Sequence, residues 1–179
     1  MGGVLLIDIE RFLEQTADRH SWYGGGSAAA LVCALSAALL EKLACLPSRT
    51  RGRQAGWTLR GKTTRTIRAQ CARLIEVDAR AFARVIRASA RHDRLAEARA
   101  LKTAIEVPWQ VHRYTQRLLQ VAQRMRTAVS PRYQADLRCA EALAKASGNA
   151  ARALVNVNLR WLDDPAARRR IRQQLARLA

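Results

Sequence analysis

The sequence predicts an all-α fold: a single domain over residues 1–179, built as a bundle of five to six helices with a buried central helix that follows a glycine-rich loop. Three observations carry that expectation. Hydrophobic residues make up 49% of the chain but aromatics only 5%, and Ala, Leu and Arg dominate, a composition of helices rather than sheets. Four prolines and nine glycines leave long stretches without a helix breaker. Nowhere do apolar residues alternate as a half-buried strand requires, and no internal repeat occurs. The chain is long enough to build a core without disulfide or metal support.

The elements follow in order. Residues 7–19 put Ile9, Phe12, Leu13 and Thr16 on one stripe, a short amphipathic helix that the glycines of Gly24-Gly25-Gly26 end. Ser27 reads as the N-cap of the next helix, from 28 to about 46. That helix is apolar nearly all round (Leu31, Val32, Cys33, Leu35, Leu39), which marks it as central, and Pro47 closes it. Residues 47–62 read as a basic linker with Gly52, Gly56 and Gly61. Helical periodicity returns over 63–91 through Ile67, Cys71, Leu74, Phe82 and Val85. It returns again over 95–129, where Pro108 should kink or divide the element. Ser130-Pro131 and Asp164-Pro165 each set a capping residue before a proline at the first helical position. They open a helix to about 162 and a last, basic one.

Net charge is +18, from 32 basic and 14 acidic residues, and 28 of the basic residues are arginine. Such a chain attracts polyanions in general, nucleic acids and poly-carboxylate small molecules alike, so charge alone does not select a partner. The recognised helical DNA-binding patterns are absent, which makes a nucleic-acid partner the least favoured reading. The four cysteines (Cys33, Cys45, Cys71, Cys139) are widely spaced and lie near no histidine in sequence. They are expected to be reduced and mostly buried, and no metal site is expected. The opening MGGVLLIDIERF has no signal-peptide pattern, and the apolar run 28–40 is shorter than the ~20 residues of a membrane span. A soluble, cytoplasmic protein with no membrane partner is expected.

Three segments, in this order, resemble the cyclodeaminase/cyclohydrolase family, the C-terminal half of formiminotransferase-cyclodeaminase. Gly24-Gly25-Gly26-Ser27-Ala28-Ala29-Ala30 is similar to that family's PGGGS loop and the buried helix after it. Asp78-Ala79-Arg80-Ala81-Phe82 stands at close to the family's distance from the glycines. Asp136-Leu137, followed by Asn158-Leu159, is similar to its SDL…NL helix, and Glu106-Val107-Pro108 to its mid-helix Val-Pro. Trp22 and Tyr23 stand where the family has prolines, Ala135 where it has Ser, and Leu154 where it has Asn. The resemblance implies an all-α, usually dimeric enzyme acting on one-carbon tetrahydrofolates, either a formimidoyltetrahydrofolate cyclodeaminase or a methenyltetrahydrofolate cyclohydrolase. It implies a tetrahydrofolate derivative, possibly polyglutamylated in its tail, as substrate, with no prosthetic group. The alternative is a member that keeps the fold without the activity, as a folate-binding or protein-interaction module.

Either reaction passes through a tetrahedral carbon and needs a group to shuttle a proton, a task suited to a carboxyl whose pKa burial raises. Asp136 is the first candidate; its competing role is to complement the start of its helix. Asp78 is the second, as a site acid or as a surface carboxylate paired with Arg73 or Arg80. Gly24, Gly25, Gly26 and Ser27 form either a backbone surface for the substrate or a flexible turn capped by Ser27. Asn158, buried by pattern, hydrogen-bonds a ligand or a neighbouring helix. The run 49–68 holds seven basic residues and no acid. Arg51 and Arg53 within it would meet the substrate's glutamate tail, unless the run is simply a solvated loop.

Overall fold

A computed structural model of the chain describes residues 8–46 and 54–177. Among the described residues six α-helices follow one another: α1 (Ile9–Ala17), α2 (Gly25–Ala44), α3 (Gln54–Ala90), α4 (Arg94–Met125), α5 (Gln134–Trp161) and α6 (Pro165–Arg177). A 3-10 turn, Pro131–Tyr133, precedes α5, and there is no strand among the described residues.

Helix α2 is the axis of the bundle and packs on α3, α4 and α5. By length and hydropathy alone it would suffice to cross a membrane, yet Cys33, Ala37, Leu40 and Leu43 are wholly buried by its neighbours. Small residues let α2 and α5 approach closely: Ala29, Ala30, Ala34 and Ala37 face Ala140, Ala144, Ser147 and Ala151, all buried. Two buried hydroxyls fix the antiparallel register. Ser36 Oγ donates to the Ala140 carbonyl at 2.8 Å and Ser147 Oγ to the Ala29 carbonyl at 2.7 Å. Between them they satisfy polar groups that would otherwise cost free energy in the interior. A second apolar cluster joins α4, α5 and α6 through Leu101, Ile105, Trp109, Val155, Leu159 and Leu175.

Four expectations change. Helix α2 begins at Gly25 with Gly24 as N-cap, so Ser27 lies inside the first turn and caps nothing. The described part of the supposed linker, residues 54–62, is the first part of α3, helical in spite of Gly56 and Gly61. Helix α5 starts at Gln134, with Ser130-Pro131 opening only the 3-10 turn. Helix α4 is undivided by Pro108. Proline removes the amide that would bond the carbonyl four residues earlier, Ala104. Asn158 supplies the missing donor from α5, its Nδ2 lying 2.7 Å from the Ala104 oxygen. Of the cysteines, Cys33 and Cys71 are buried whereas Cys45 and Cys139 are exposed.

Candidate active site

The first turn of α2 leaves the amides of Gly25, Gly26 and Ser27 without carbonyl partners in their own helix, and no side chain caps it locally. Asp78, reaching from α3, occupies that position instead. Its carboxyl lies over Gly26 so closely that a Cβ there would overlap it. Gly26 is therefore fixed by close approach, not by turn conformation. A Cβ on Gly25 would meet only the Leu154 side chain, 3.6 Å away, and one on Gly24 nothing within 4 Å.

Ser27 Oγ lies 2.9 Å from the Ile75 carbonyl oxygen and 3.1 Å from Asp78 Oδ2. A hydroxyl has one hydrogen to give. When it goes to Ile75, the remaining contact is satisfied if the Asp78 carboxyl is neutral and donates to Ser27 Oγ. Burial pushes the Asp78 pKa up, while the Ser27 hydroxyl and amide pull it down; burial prevails. The geometry and the desolvation point the same way, to a carboxyl that holds its proton above the ordinary range.

The segment before the glycines is clamped to α3. Tyr23 donates its hydroxyl to Glu76, and burial, followed by the effect of that carboxylate, pushes the phenol up to about 12. Its ring meets Phe12 edge to face, centroids 5.6 Å apart. Trp22 meets Phe82 edge-on at 6.3 Å and lies under the Arg87 guanidinium at 5.8 Å. Beside them opens a cleft of about 340 Å³ between Trp22, Tyr23, Glu76 and Arg80. These contacts hold Trp22 and Tyr23 against α1 and α3 just before α2 begins.

The structure gathers Gly24, Gly25, Gly26, Ser27 and Asp78, and leaves the other candidates elsewhere. Asp136 sits at the far end of α2, where its Oδ2 accepts from Lys42 Nζ at 2.9 Å in an exposed ion pair. Fifteen residues of helix separate Lys42 from Ser27, about 22 Å at the helical rise, so one chain does not bring Asp136 beside Asp78. Asp136 is thus held in a solvent-facing pair rather than in the buried setting that the proton shuttle calls for. Asn158 is only half-buried and makes the helix-to-helix bond already described. Arg80 pairs with Glu76 rather than Asp78. Arg51 and Arg53 lie outside the described residues. Arg65 and Arg68, later in the same basic run, both grip Glu41 of α2, at 2.8 and 2.7 Å. Among the described residues no three His, Cys, Asp or Glu side chains lie close enough to hold a metal ion.

Sequence reasoning missed two groups. Glu76 holds Tyr23, which only the fold reveals. His112 is buried between α4 and α5, its Nδ1 3.2 Å from the Gly148 carbonyl and its Nε2 without a partner. Burial lowers its pKa and so favours the neutral ring, and because a carbonyl only accepts, Nδ1 carries the hydrogen.

The central helix of an all-helical bundle thus aims its N-terminus at a half-buried carboxyl whose pKa is raised, a group chemically suited to exchanging a proton. The chain belongs to the formiminotransferase-cyclodeaminase family, whose family model matches residues 8–177. Among solved structures it is similar to the formiminotetrahydrofolate cyclodeaminase of Thermotoga maritima, with a TM-score of 0.91 over 98% of this chain and 90% of that one. Identity between the two is 22%, so the likeness is one of fold. No curated protein matches the chain.

Proposed function

We propose that the protein is a folate one-carbon enzyme, a formimidoyltetrahydrofolate cyclodeaminase, with methenyltetrahydrofolate cyclohydrolase as the nearest alternative reaction. The carrying observation is the Gly26–Ser27–Asp78 constellation: a carboxyl with a raised pKa, set over Gly26 at the positive end of α2 and bonded to Ser27. Family membership and the fold shared with the Thermotoga enzyme support the substrate class.

In the proposed reaction N10 of 5-formimino-tetrahydrofolate attacks the formimino carbon to give a tetrahedral centre. The carbon–nitrogen bond to the imino group then breaks. Ammonia leaves with the original imino hydrogen, the proton lost by N10 and one further proton, and the 5,10-methenyl cation remains. Asp78 donates that further proton and recovers one from solvent, so a pKa above the usual carboxylate range suits the step. The glycine backbone at the start of α2, around Gly24 and Gly25, receives the polar edge of the pterin. The protein acts as a cytoplasmic homodimer in this reading.

The test is an ultraviolet assay with 5-formimino-tetrahydrofolate and, separately, 5,10-methenyl-tetrahydrofolate, using wild type, Asp78→Asn and Asp136→Asn. Methenyl formation lost in Asp78→Asn and kept in Asp136→Asn is the expected result. Turnover that survives Asp78→Asn would remove Asp78 from the mechanism, and no turnover of either folate by wild type would end the enzyme reading. Leu154, an apolar side chain set over Gly25 where the resembled motif has Asn, favours the second reading, a member that binds without turning over.

A further inference from the structure

Helix α3 ends in a Schellman-type turn: His92 takes a left-handed φ of 54°, its amide bonds the Ser89 carbonyl, and Asp93 bonds that of Ala88. Helix α4 starts at once, so the end of one helix and the start of the next face each other across a groove of about 420 Å³. Arg84 and Arg87 line it from α3, Arg91 from the turn that follows, and Arg99 from α4. The single acid in its wall, Asp93, is occupied: its Oδ1 accepts from the Ala96 amide at 2.9 Å as the N-cap of α4.

Arg84, Arg91 and Arg99 have no ion pair among the described residues, and Arg87 has only the Trp22 ring. Such crowding of like charge at helical spacing is unfavourable. Arg87 and Arg91 complement the carbonyl end of α3, which accounts for two of the four. Arg84 stands before that last turn. Arg99 stands near the N-terminus of α4, the end where a helix favours anions. Both arginines make physical sense with an anion between them, held also by the positive end of α4.

We propose that this groove is a binding site for a compact phosphoryl oxyanion, the phosphate or diphosphate of a small metabolite. One phosphoryl group carries nearly two charges and three acceptor oxygens at one point, so it can answer several guanidiniums together, whereas a carboxylate brings one charge and two oxygens. The wall between the arginines is made of Ala88, Ala96, Ala100 and Thr103, small side chains that leave room for such a group. The groove shares Arg84 and Arg87 with the cleft beside Trp22 and Tyr23 but does not include the Asp78 carboxyl. Arg84 is six residues from Asp78, about 240° around α3, so the groove opens on another side of that helix from the carboxyl.

The experiment is isothermal titration calorimetry of the full chain with inorganic pyrophosphate in 150 mM sodium chloride, with citrate as the carboxylate counterpart. The variants are Arg91→Gln/Arg99→Gln in the groove and Arg169→Gln/Arg172→Gln on α6, a pair of equal charge elsewhere; all are checked for helicity. Arg84→Gln is a milder second groove variant. The expected result is saturable binding of pyrophosphate, weakened about tenfold for each groove arginine removed and unchanged by the α6 pair. Three results overturn the proposal: no saturable binding by wild type, equal weakening by the α6 pair, or citrate binding as tightly as pyrophosphate.

Discussion

The bond from Asn158 to the Ala104 carbonyl predicts a specific dependence between two residues that do not adjoin in sequence. In Asn158→Ala the carbonyl orphaned by Pro108 loses its only donor. An unsatisfied carbonyl costs about 1–3 kcal/mol; since Asn158 is half-buried and water can replace part of the bond, the lower part of that range, about 1–1.5 kcal/mol, is expected. Alanine's better helix propensity returns up to ~0.6 kcal/mol in α5, which makes the single variant look milder than the lost bond. A double-mutant cycle removes that ambiguity. Pro108→Ala restores an amide at position 108, which bonds Ala104 along the helix and leaves Asn158 redundant. Thermal or urea unfolding of wild type, both single variants and the double variant should give a coupling of about 1 kcal/mol. That corresponds to roughly 2–4 °C in Tm for a chain of this size. If Asn158→Ala costs the same with proline and with alanine at 108, the bond does not compensate the proline and the reasoning fails.

Gly26→Ala should destabilise the fold and abolish activity, because its methyl overlaps the Asp78 carboxyl. Gly25→Ala meets only a flexible leucine and should be neutral or stabilising by up to about 1 kcal/mol; equal damage from both, measured as Tm, would contradict the packing argument. Asp78 has a raised folded pKa, so its contribution favours the fold at acid pH and is lost as pH rises through the folded value. Asp78→Asn should therefore gain Tm relative to wild type at pH 8 more than at pH 4, and parallel curves would refute it. His112 is shifted downward, so the unfolded chain takes up its proton first and stability falls as pH drops below the unfolded value of about 6.5. Between pH 7.5 and 5.5 wild type should lose more Tm than His112→Gln. Asp136→Asn breaks an ion pair whose side chains are 37% and 58% exposed, so it should change stability by less than about 1 kcal/mol.

The helices were legible because their signals are local. The stripe of Phe12, the apolar run of α2 and the Asp164-Pro165 start are each contained within a few turns. The start of α2 was misplaced because serine after glycine reads as a cap, whereas the cap position is filled by Asp78 from another helix, a relation across 51 residues. The same distance effect hid the purpose of Asn158. Its pattern marks it as inward-facing, but only the fold shows that the group it faces is the carbonyl that Pro108 strands. Residues 54–62 were read as a linker from their glycines and charges; packing of α3 on α2 overrides those weak local preferences, and buried Thr64 folds its hydroxyl back onto the Arg60 and Gly61 carbonyls. The resemblance located Asp78 and the glycines as separate motifs. Their overlap, the physical reason each requires the other, needed three dimensions.

That overlap also explains why a carboxyl is suited to this position. The N-terminus of α2 stabilises an anion at Asp78, and Ser27 stabilises it further by hydrogen bonding. Burial stabilises the neutral acid. Either influence alone would fix one protonation state across the physiological range, and a fixed group cannot exchange protons with a substrate. Set against each other with burial prevailing, they keep the pKa above the ordinary carboxylate range and leave the helix end to hold the charge when, in the proposed reaction, a reacting nitrogen draws the proton out. Gly26 is what allows the opposition, since any side chain there would push the carboxyl off the helix end and leave burial unopposed. An Asp78→Glu variant, one methylene longer, cannot occupy the same space over Gly26. It should lose activity nearly as fully as Asp78→Asn although it keeps the acid, and full activity in Asp78→Glu would show that placement over the helix end is not what the proton transfer requires.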